Sequence, residues 1–297
     1  VLLSAVLEAL APQPGDVVMD CTLGRAGHAV ELLRVIGAEG QLIGLDLDPA
    51  NIEPARERLS PIGPNFALHL LNFAGASSLL QREGLLADGL LADLGMSSMQ
   101  VDEAERGFSL LRDGPLDMRM DPTRGQSAAD LLATLPATAL AEAFRDFGDE
   151  PEAEGIAAAI VARRSVHRLT RTTELTELVQ EAAPVRIEHG PGQATPRQQR
   201  LRPATRVFQA LRILVNREMA NLEHLLRTLP ECLQPGGRAA IISFHSGEDR
   251  RVKQSFREGL RSGVYSAISD EPIRAGEAER RINPRSRSAK LRCAIRS

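Results

Sequence analysis

"DVVMDCTLGRAGHAV" (16–30) joins a short apolar run ending in aspartate to a turn with two glycines, and then to a helical pattern. In open α/β sheets, ligands sit outside the carboxyl ends of the strands, and the first strand-to-helix turn uses glycine where backbone approaches the ligand. A phosphate-binding P-loop is excluded because no Gly-Lys-Ser/Thr follows, and the full G-x-G-x-x-G fingerprint is absent. Gly24 and Gly27 form a G-x-x-G, weak by itself. Asp46 closes the next apolar run 22 residues after Gly24, about the ~20-residue offset at which a carboxylate accepts hydrogen bonds from ribose hydroxyls. A ribose-containing cofactor without a diphosphate is expected. S-adenosylmethionine suits such a site better than NAD, because its sulfonium and amino groups are cationic and acidic neighbours favour them. Taken singly, Asp20 and Asp46 read equally well as helix caps and the glycines as a tight turn. His28 reads as a packed helix residue, and Phe73 either as a core aromatic or as a ring against adenine.

Working outward, the apolar runs "DVVMD" (16–20), "QLIGLD" (41–46), "FALHLL" (66–71), "GLLADLG" (89–95) and "GRAAIISF" (237–244) alternate with helical patterns, which implies a parallel α/β sheet. The gap before the fifth run is too long for one crossover. It holds "SAADLLATL", with Ser127 and Asp130 spaced as a capping box, then "ATALAEAFRDF", "EGIAAAIVARR" and "TTELTELVQEAA", and so reads as a helical insertion. After the turn-rich "HGPGQATPRQQRLRP" (189–203), Val207, Phe208, Leu211, Leu214, Val215, Leu222, Leu225, Leu226 and Leu229 mark one helix face leading back to the sheet. The expected division is 1–104 and 203–297 for the sheet domain and 105–202 for the insertion.

At 297 residues, 43% hydrophobic and 25% charged, the chain can bury a substantial core. No apolar run approaches the roughly 18 residues of a membrane span, and "VLLSAVLEAL" reads as an amphipathic helix without a basic leader or cleavage site. Cys21, Cys232 and Cys293 are isolated, which disfavours a disulfide framework or zinc site and fits a reducing compartment. No metal site is expected. The net charge of −3 conceals two arginine-rich stretches. Residues 186–217 carry Arg186, Arg197, Arg200, Arg202, Arg206, Arg212 and Arg217 against Glu188, and residues 274–297 carry seven arginines and Lys290 against Glu277 and Glu279. Solvated surface charge accounts for one such run; two in an acidic chain suggest a phosphate-contacting surface.

Across nearly the whole chain, "DCTLGRAGH" (20–28), "LDLDP" (45–49), "ADLGMSSMQVDEAERGFS" (92–109), "DGPLDMRMDPTRGQSAAD" (113–130), "PATRVFQALRILVN" (203–216), "SFHSGEDRRVK" (243–253) and "NPRSRSAKLR" (283–292) stand in an order that resembles the bacterial 16S rRNA cytosine-N4 methyltransferase family RsmH, also called MraW, with its mitochondrial relatives. The resemblance implies an α/β class I S-adenosylmethionine-dependent methyltransferase, a Rossmann-like sheet with an inserted helical domain, acting on a cytosine in the decoding region of small-subunit rRNA. It further implies that Ala26, Gly27, His28, Asp46, Phe73, Asp93 and Gln100 contact the cofactor. A bacterial cytoplasmic location follows, with organellar relatives kept in view; monomer and homodimer both stay open. Ala26 and Gly247 stand where the family has glycine and leucine.

Cytosine's exocyclic amine is a poor nucleophile because its lone pair is delocalised into the ring. Transfer gains from holding the nitrogen in line with the methyl group and from a hydrogen-bond or proton acceptor. Asp93 is the candidate for this role, with Ser97, Ser98 or nearby carbonyls contributing; Ser243 and His245 at the fifth strand end are expected to face the same crevice. "SFHS" lacks the G-x-S-x-G elbow of a hydrolase, and His245 reads equally as a structural residue. Asp117, Arg119 and Arg124 form either a wall over the target base or pairs with one another. Arg206, Arg285 and Arg287 are the candidates for RNA phosphates. Two rival readings are a non-catalytic cofactor- or RNA-binding assembly factor and a methyltransferase acting on a small molecule.

Overall fold

The computed structural model describes residues 1–185, 187–188 and 194–297, and of Ser98 the backbone. The chain divides into two units, residues 1–95 with 219–297 and residues 96–218. The first contains α1 (Leu3–Leu10), β1 (Val17–Asp20), α2 (Gly27–Ile36), β2 (Gln41–Asp46), α3 (Pro49–Leu59), β3 (Phe66–Leu70), α4 (Ala76–Glu83) and β4 (Ala87–Asp93). The second is helical: α5 (Ser98–Asp102), α6 (Ala128–Thr134), α7 (Ala137–Gly148), α8 (Ala153–Arg164), α9 (Thr172–Ala182) and α10 (Pro196–Asn216). Helix α11 (Glu218–Cys232) then leads into the rest of the first unit, β5 (Leu233–Ser243), α12 (Ser246–Arg261), β6 (Tyr265–Ile268), α13 (Glu277–Ile282) and β7 (Lys290–Arg296).

The strands form one sheet in the order β3-β2-β1-β4-β5-β7-β6. Neighbours among the first five pair in parallel, and β7 is antiparallel to both β5 and β6. This is the class I methyltransferase sheet. Side chains alternate between faces with the period of two that a strand imposes. Met19, Ile43, Leu45, Leu90, Ala92, Ala239 and Ile241 pack with apolar residues of α4, α11 and α12. Val18, Leu42, Leu91, Ala240 and Ile242 pack with α1, α2 and α3. Burial on both faces explains why the strands read as near-continuous apolar runs. Of the two antiparallel strands, β7 lies in the stretch read only as arginine-rich, because "KLRCAIR" interleaves charge with its apolar positions, and β6 precedes that stretch.

In the helical unit, Leu140, Phe144, Ile156, Ile160, Leu175, Val179, Val207, Phe208 and Leu211 share one core. The capping box read at Ser127 is present: Asp130 N–H donates to Ser127 Oγ at 3.2 Å and Ser127 N–H to Asp130 Oδ2 at 3.0 Å. Two expectations need correction. The apolar face from Val207 to Leu229 is not one helix, because Arg217 adopts a left-handed φ of 53° that ends α10 and starts α11. The far boundary of the insertion accordingly falls near residue 218 and not 202, since α10 supplies Ala204, Val207, Phe208 and Leu211 to the helical core. The near boundary is likewise 95/96 and not 104/105.

Candidate functional site

Chain order along the sheet reverses between β1 and β4, and ligands of open α/β sheets bind at the carboxyl ends of strands at such a switch point. Asp20 ends β1, Asp93 ends β4, and Asp46 ends the adjacent β2. The sheet therefore brings three carboxylates from distant sequence positions to one edge.

The 20–28 turn is built around Asp46. Its Oδ2 accepts the Gly24 N–H at 2.7 Å and the Asn51 amide at 3.2 Å, while Oδ1 accepts the Asp48 N–H at 2.7 Å. Gly24 has φ +49°, where a side chain is disfavoured. Ala26, buried and N-terminal to α2, has φ 59° and accepts the strain of that region without being glycine. Gly27 opens α2 and His28 follows it. Phe73 lies in the single turn of 3₁₀ helix after β3, half-buried against the sheet core.

Burial crowds the carboxylates electrostatically. Asp20, 1% exposed, has its pKa raised to about 7 by desolvation, with the Asp46 charge adding to it. Desolvation also raises Asp93 to about 7, with the Asp20 and Glu248 charges contributing, and raises Asp46. One oxygen of Asp93, Oδ1, is buried without a hydrogen-bond partner, although 20% of the side chain's surface is open. His28 is neutral at pH 7, since burial lowers its pKa to about 4. Its Nε2 lies 2.8 Å from the Val1 carbonyl oxygen, an atom that only accepts, so Nε2 carries the ring hydrogen and Nδ1 is an acceptor. That Nδ1 lies 3.8 Å from Asp93 Oδ2. Two acceptors facing each other suit a ligand that brings its own N–H groups.

At the end of β5 the expected residues divide. Ser243 is buried, with its hydroxyl donating to the Lys290 carbonyl of β7 at 3.4 Å; the side chain expected to face the crevice serves the sheet. His245 precedes α12, with Nε2 3.3 Å from Glu248 Oε1 but not in hydrogen-bonding geometry. Glu248 Oε2 accepts the Phe244 N–H at 2.8 Å. Arg292 is 4% exposed and is bound with Lys290 to Asp249, at 2.7 and 3.1 Å. Arg292 therefore leaves the set of phosphate-contacting candidates, while Arg285 and Arg287 are exposed on the 3₁₀ helix Pro284–Ser288.

In the helical unit, Gln100 is buried, and its Oε1 accepts the Ser97 N–H at 2.9 Å in a capping box. The side chain of Ser98 lies outside the described residues, as does Arg186. Asp117 and Arg119 pair with each other in a two-pronged bond, Nε–Oδ1 2.9 Å and Nη2–Oδ2 2.7 Å, which keeps the Asp117 carboxyl below its ordinary range against its burial. Arg124 lies 3.8 Å from Asp121. Between Asp117 and Arg119, buried Met118 has φ 61°. Asn216 holds that strained residue in place, donating to Met118 O and accepting the Met120 N–H, both at 2.8 Å. Arg106 adds bonds to the carbonyls of Arg119 and Met120. Arg206 sits 3.6 Å from the buried Glu150, and Arg212 is buried on Glu218.

Sequence reading gave no role to Asn216 and Arg106, although both stand inside quoted stretches, and passed over Thr22, whose place two residues after Asp20 is the spacing of a side-chain turn. Among the described residues no group of three or more His, Cys, Asp or Glu is arranged to hold a metal ion.

Over residues 1–297 the chain matches the model of the "MraW methylase family". It is 44% identical over 308 residues to "Ribosomal RNA small subunit methyltransferase H" of Geobacter sp. (strain M21), covering 98% of this chain and 96% of that protein. It is 43% identical over 301 residues to the protein of the same name from Acidobacterium capsulatum, covering 99% and 96% respectively.

Proposed function

The chain belongs to the MraW methylase family, and on that premise we propose that it transfers a methyl group from S-adenosylmethionine to the N4 amine of a cytosine in the decoding region of small-subunit ribosomal RNA. The observation that carries the reading is the buried, unpartnered Oδ1 of Asp93 at the switch point of the sheet. The donor set fits the cofactor. We assign Asp46 to the ribose hydroxyls, the His28–Asp93 acceptors to an ammonium group and Phe73 to the adenine face, while crowded carboxylates favour a sulfonium. When bound, S-adenosylmethionine supplies an electrophilic methyl group.

Asp93 accepts a hydrogen bond from the acceptor amine, which directs the nitrogen lone pair, and its carboxylate takes up the proton that the nitrogen sheds as the new bond forms. The burial that raises the Asp93 pKa makes its carboxylate a better acceptor for that proton. Neutral His28, its pKa lowered to about 4 by burial, does not compete for the proton. A cytosine in structured RNA must be splayed out to reach such a group, with cationic side chains holding the flanking phosphates. Arg285 and Arg287, with Arg206 on the helical unit, are proposed for that holding. We place the activity in the bacterial cytoplasm. Among the described residues no helix is long and apolar enough to cross a membrane.

The test is incubation with small ribosomal subunits lacking the modification and labelled S-adenosylmethionine, followed by nucleoside mass spectrometry. N4-methylcytidine supports the reading; a folded, cofactor-binding protein that transfers nothing overturns it in favour of a non-catalytic relative.

Two further results are expected. Binding a cation favours ionised carboxylates, so affinity for S-adenosylmethionine, relative to the thioether product, rises several-fold as pH increases through about 7. Asp20→Asn removes a neighbouring negative charge, lowers the Asp93 pKa and moves that rise to lower pH; calorimetric titrations between pH 6 and 8 check both. The sign is opposite for the ligand-free fold. With Asp20 raised above its unfolded value, its contribution to stability is full below about pH 4 and lost as pH rises through about 7. For RNA, the Arg285→Ala/Arg287→Ala variant should reduce the slope of log affinity against log salt by about 1.5, on the order of 0.7–0.9 per lost phosphate contact. An unchanged slope removes both arginines from the interface.

A further inference from the structure

We propose that Thr22 is the positioning residue for Asp93: its hydroxyl oxygen accepts the Asp93 backbone N–H while the side chain rests on the buried Asp20 carboxylate. The kinetic consequence rests on the methyl-transfer reading above; the structural consequence does not.

Strands β1 and β4 run in register from Val18↔Gly89 to Asp20↔Leu91, and one further backbone bond, Cys21 N–H to Leu91 O at 2.8 Å, extends the ladder. There β1 leaves the sheet. The Leu23 N–H donates to Leu45 O of β2 at 2.8 Å, and the Gly24 N–H goes to Asp46. The Asp93 N–H, next along β4, therefore faces a point where β1 offers no carbonyl. Thr22 Oγ1 fills that place at 2.6 Å, a short bond across 71 residues of sequence.

The hydroxyl has one hydrogen, and with its oxygen accepting from Asp93 that hydrogen is directed to Asp20. Asp20 Oδ1 lies 3.5 Å from Thr22 Oγ1 and also accepts the Thr22 N–H at 3.0 Å. Asp20 is 1% exposed, so it acts on Asp93, through Thr22 and through its charge, and not on a ligand directly. On its other side β4 is held by the ordinary ladder, Leu94 N–H to Ile242 O at 2.9 Å. The placement of the Asp93 carboxylate at the crevice thus depends on a side-chain hydroxyl from the glycine turn. Valine has nearly the same shape as threonine and cannot accept; serine retains the oxygen.

The experiment compares the parent with Thr22→Val and Thr22→Ser. In the cofactor-free protein, amide hydrogen exchange at Asp93, read by NMR, should be at least tenfold faster in Thr22→Val and within about threefold of the parent in Thr22→Ser. With cofactor and RNA saturating, kcat should fall at least tenfold in Thr22→Val, more than KM for the cofactor rises, because Gly24 and Asp46 keep their own bonds; Thr22→Ser should recover most of it. Thermal melting of both variants separates loss of fold from loss of position. Unchanged Asp93 exchange in Thr22→Val, or Thr22→Ser as impaired as Thr22→Val, overturns the assignment. A parent protein without methyl transfer overturns the functional reading instead, and the exchange rates then decide the role of Thr22.

Discussion

Replacing Asp46 by alanine is expected to weaken S-adenosylmethionine binding at least ~30-fold, the value of one or two lost charge-assisted hydrogen bonds. The same change removes the acceptor for the Gly24 and Asp48 N–H groups and the Asn51 amide. Leaving buried donors unmatched should cost a further ~2–4 kcal/mol of stability. Asp46→Asn keeps one acceptor oxygen and should recover much of the stability but not the affinity, since its NH₂ confronts donors already in place. Calorimetric binding alongside thermal denaturation separates the two effects. A dissociation constant for Asp46→Ala within about threefold of the parent's would remove Asp46 from the cofactor site.

Gly107→Ala should be strongly disruptive in the helical unit. Gly107 has φ +73°, and a Cβ there would overlap the carbonyl oxygen of Pro115 and lie 2.7 Å from the Asp117 nitrogen. Both are backbone atoms, so no rotamer change relieves the contact. The neighbouring segment is also tied down by Arg106 to the Arg119 and Met120 carbonyls and by Leu116 N–H to Thr170 O. A left-handed alanine forced against backbone should cost ~3–5 kcal/mol and displace the loop carrying Asp117 and Arg119. Denaturant unfolding measures the loss. Proteolysis should cut first between residues 107 and 120, and a variant within about 1 kcal/mol of the parent would show that the loop can move aside.

The two changes act at different levels of the molecule. Asp46 is the proposed ribose ligand, and its own hydrogen bonds shape the turn, whereas Gly107 is a place where two backbone segments meet. Asp46 was visible in the sequence through its offset from the glycine turn. Gly107 stood inside a quoted motif, but nothing local to it showed which backbone lay against it.

Local patterns determined the first four strands and the core of the fifth, the capping box at Ser127, the helical insertion and the acidic glycine turn suited to a cationic, ribose-bearing cofactor. These depend on side-chain period and turn chemistry over a few residues, which a sequence displays directly. The tertiary structure alone decided which charges are spent on the fold. Arg292 and Asp249 are 43 residues apart, and their pairing withdraws an arginine from a basic run; Asn216 reaches back 98 residues to hold Met118. The Asp93 N–H finds Thr22 only because β1 ends two residues before β4 does. Such partners are chosen by where strands and helices stop relative to one another, and that is settled by packing across the whole unit, not by neighbours in the chain.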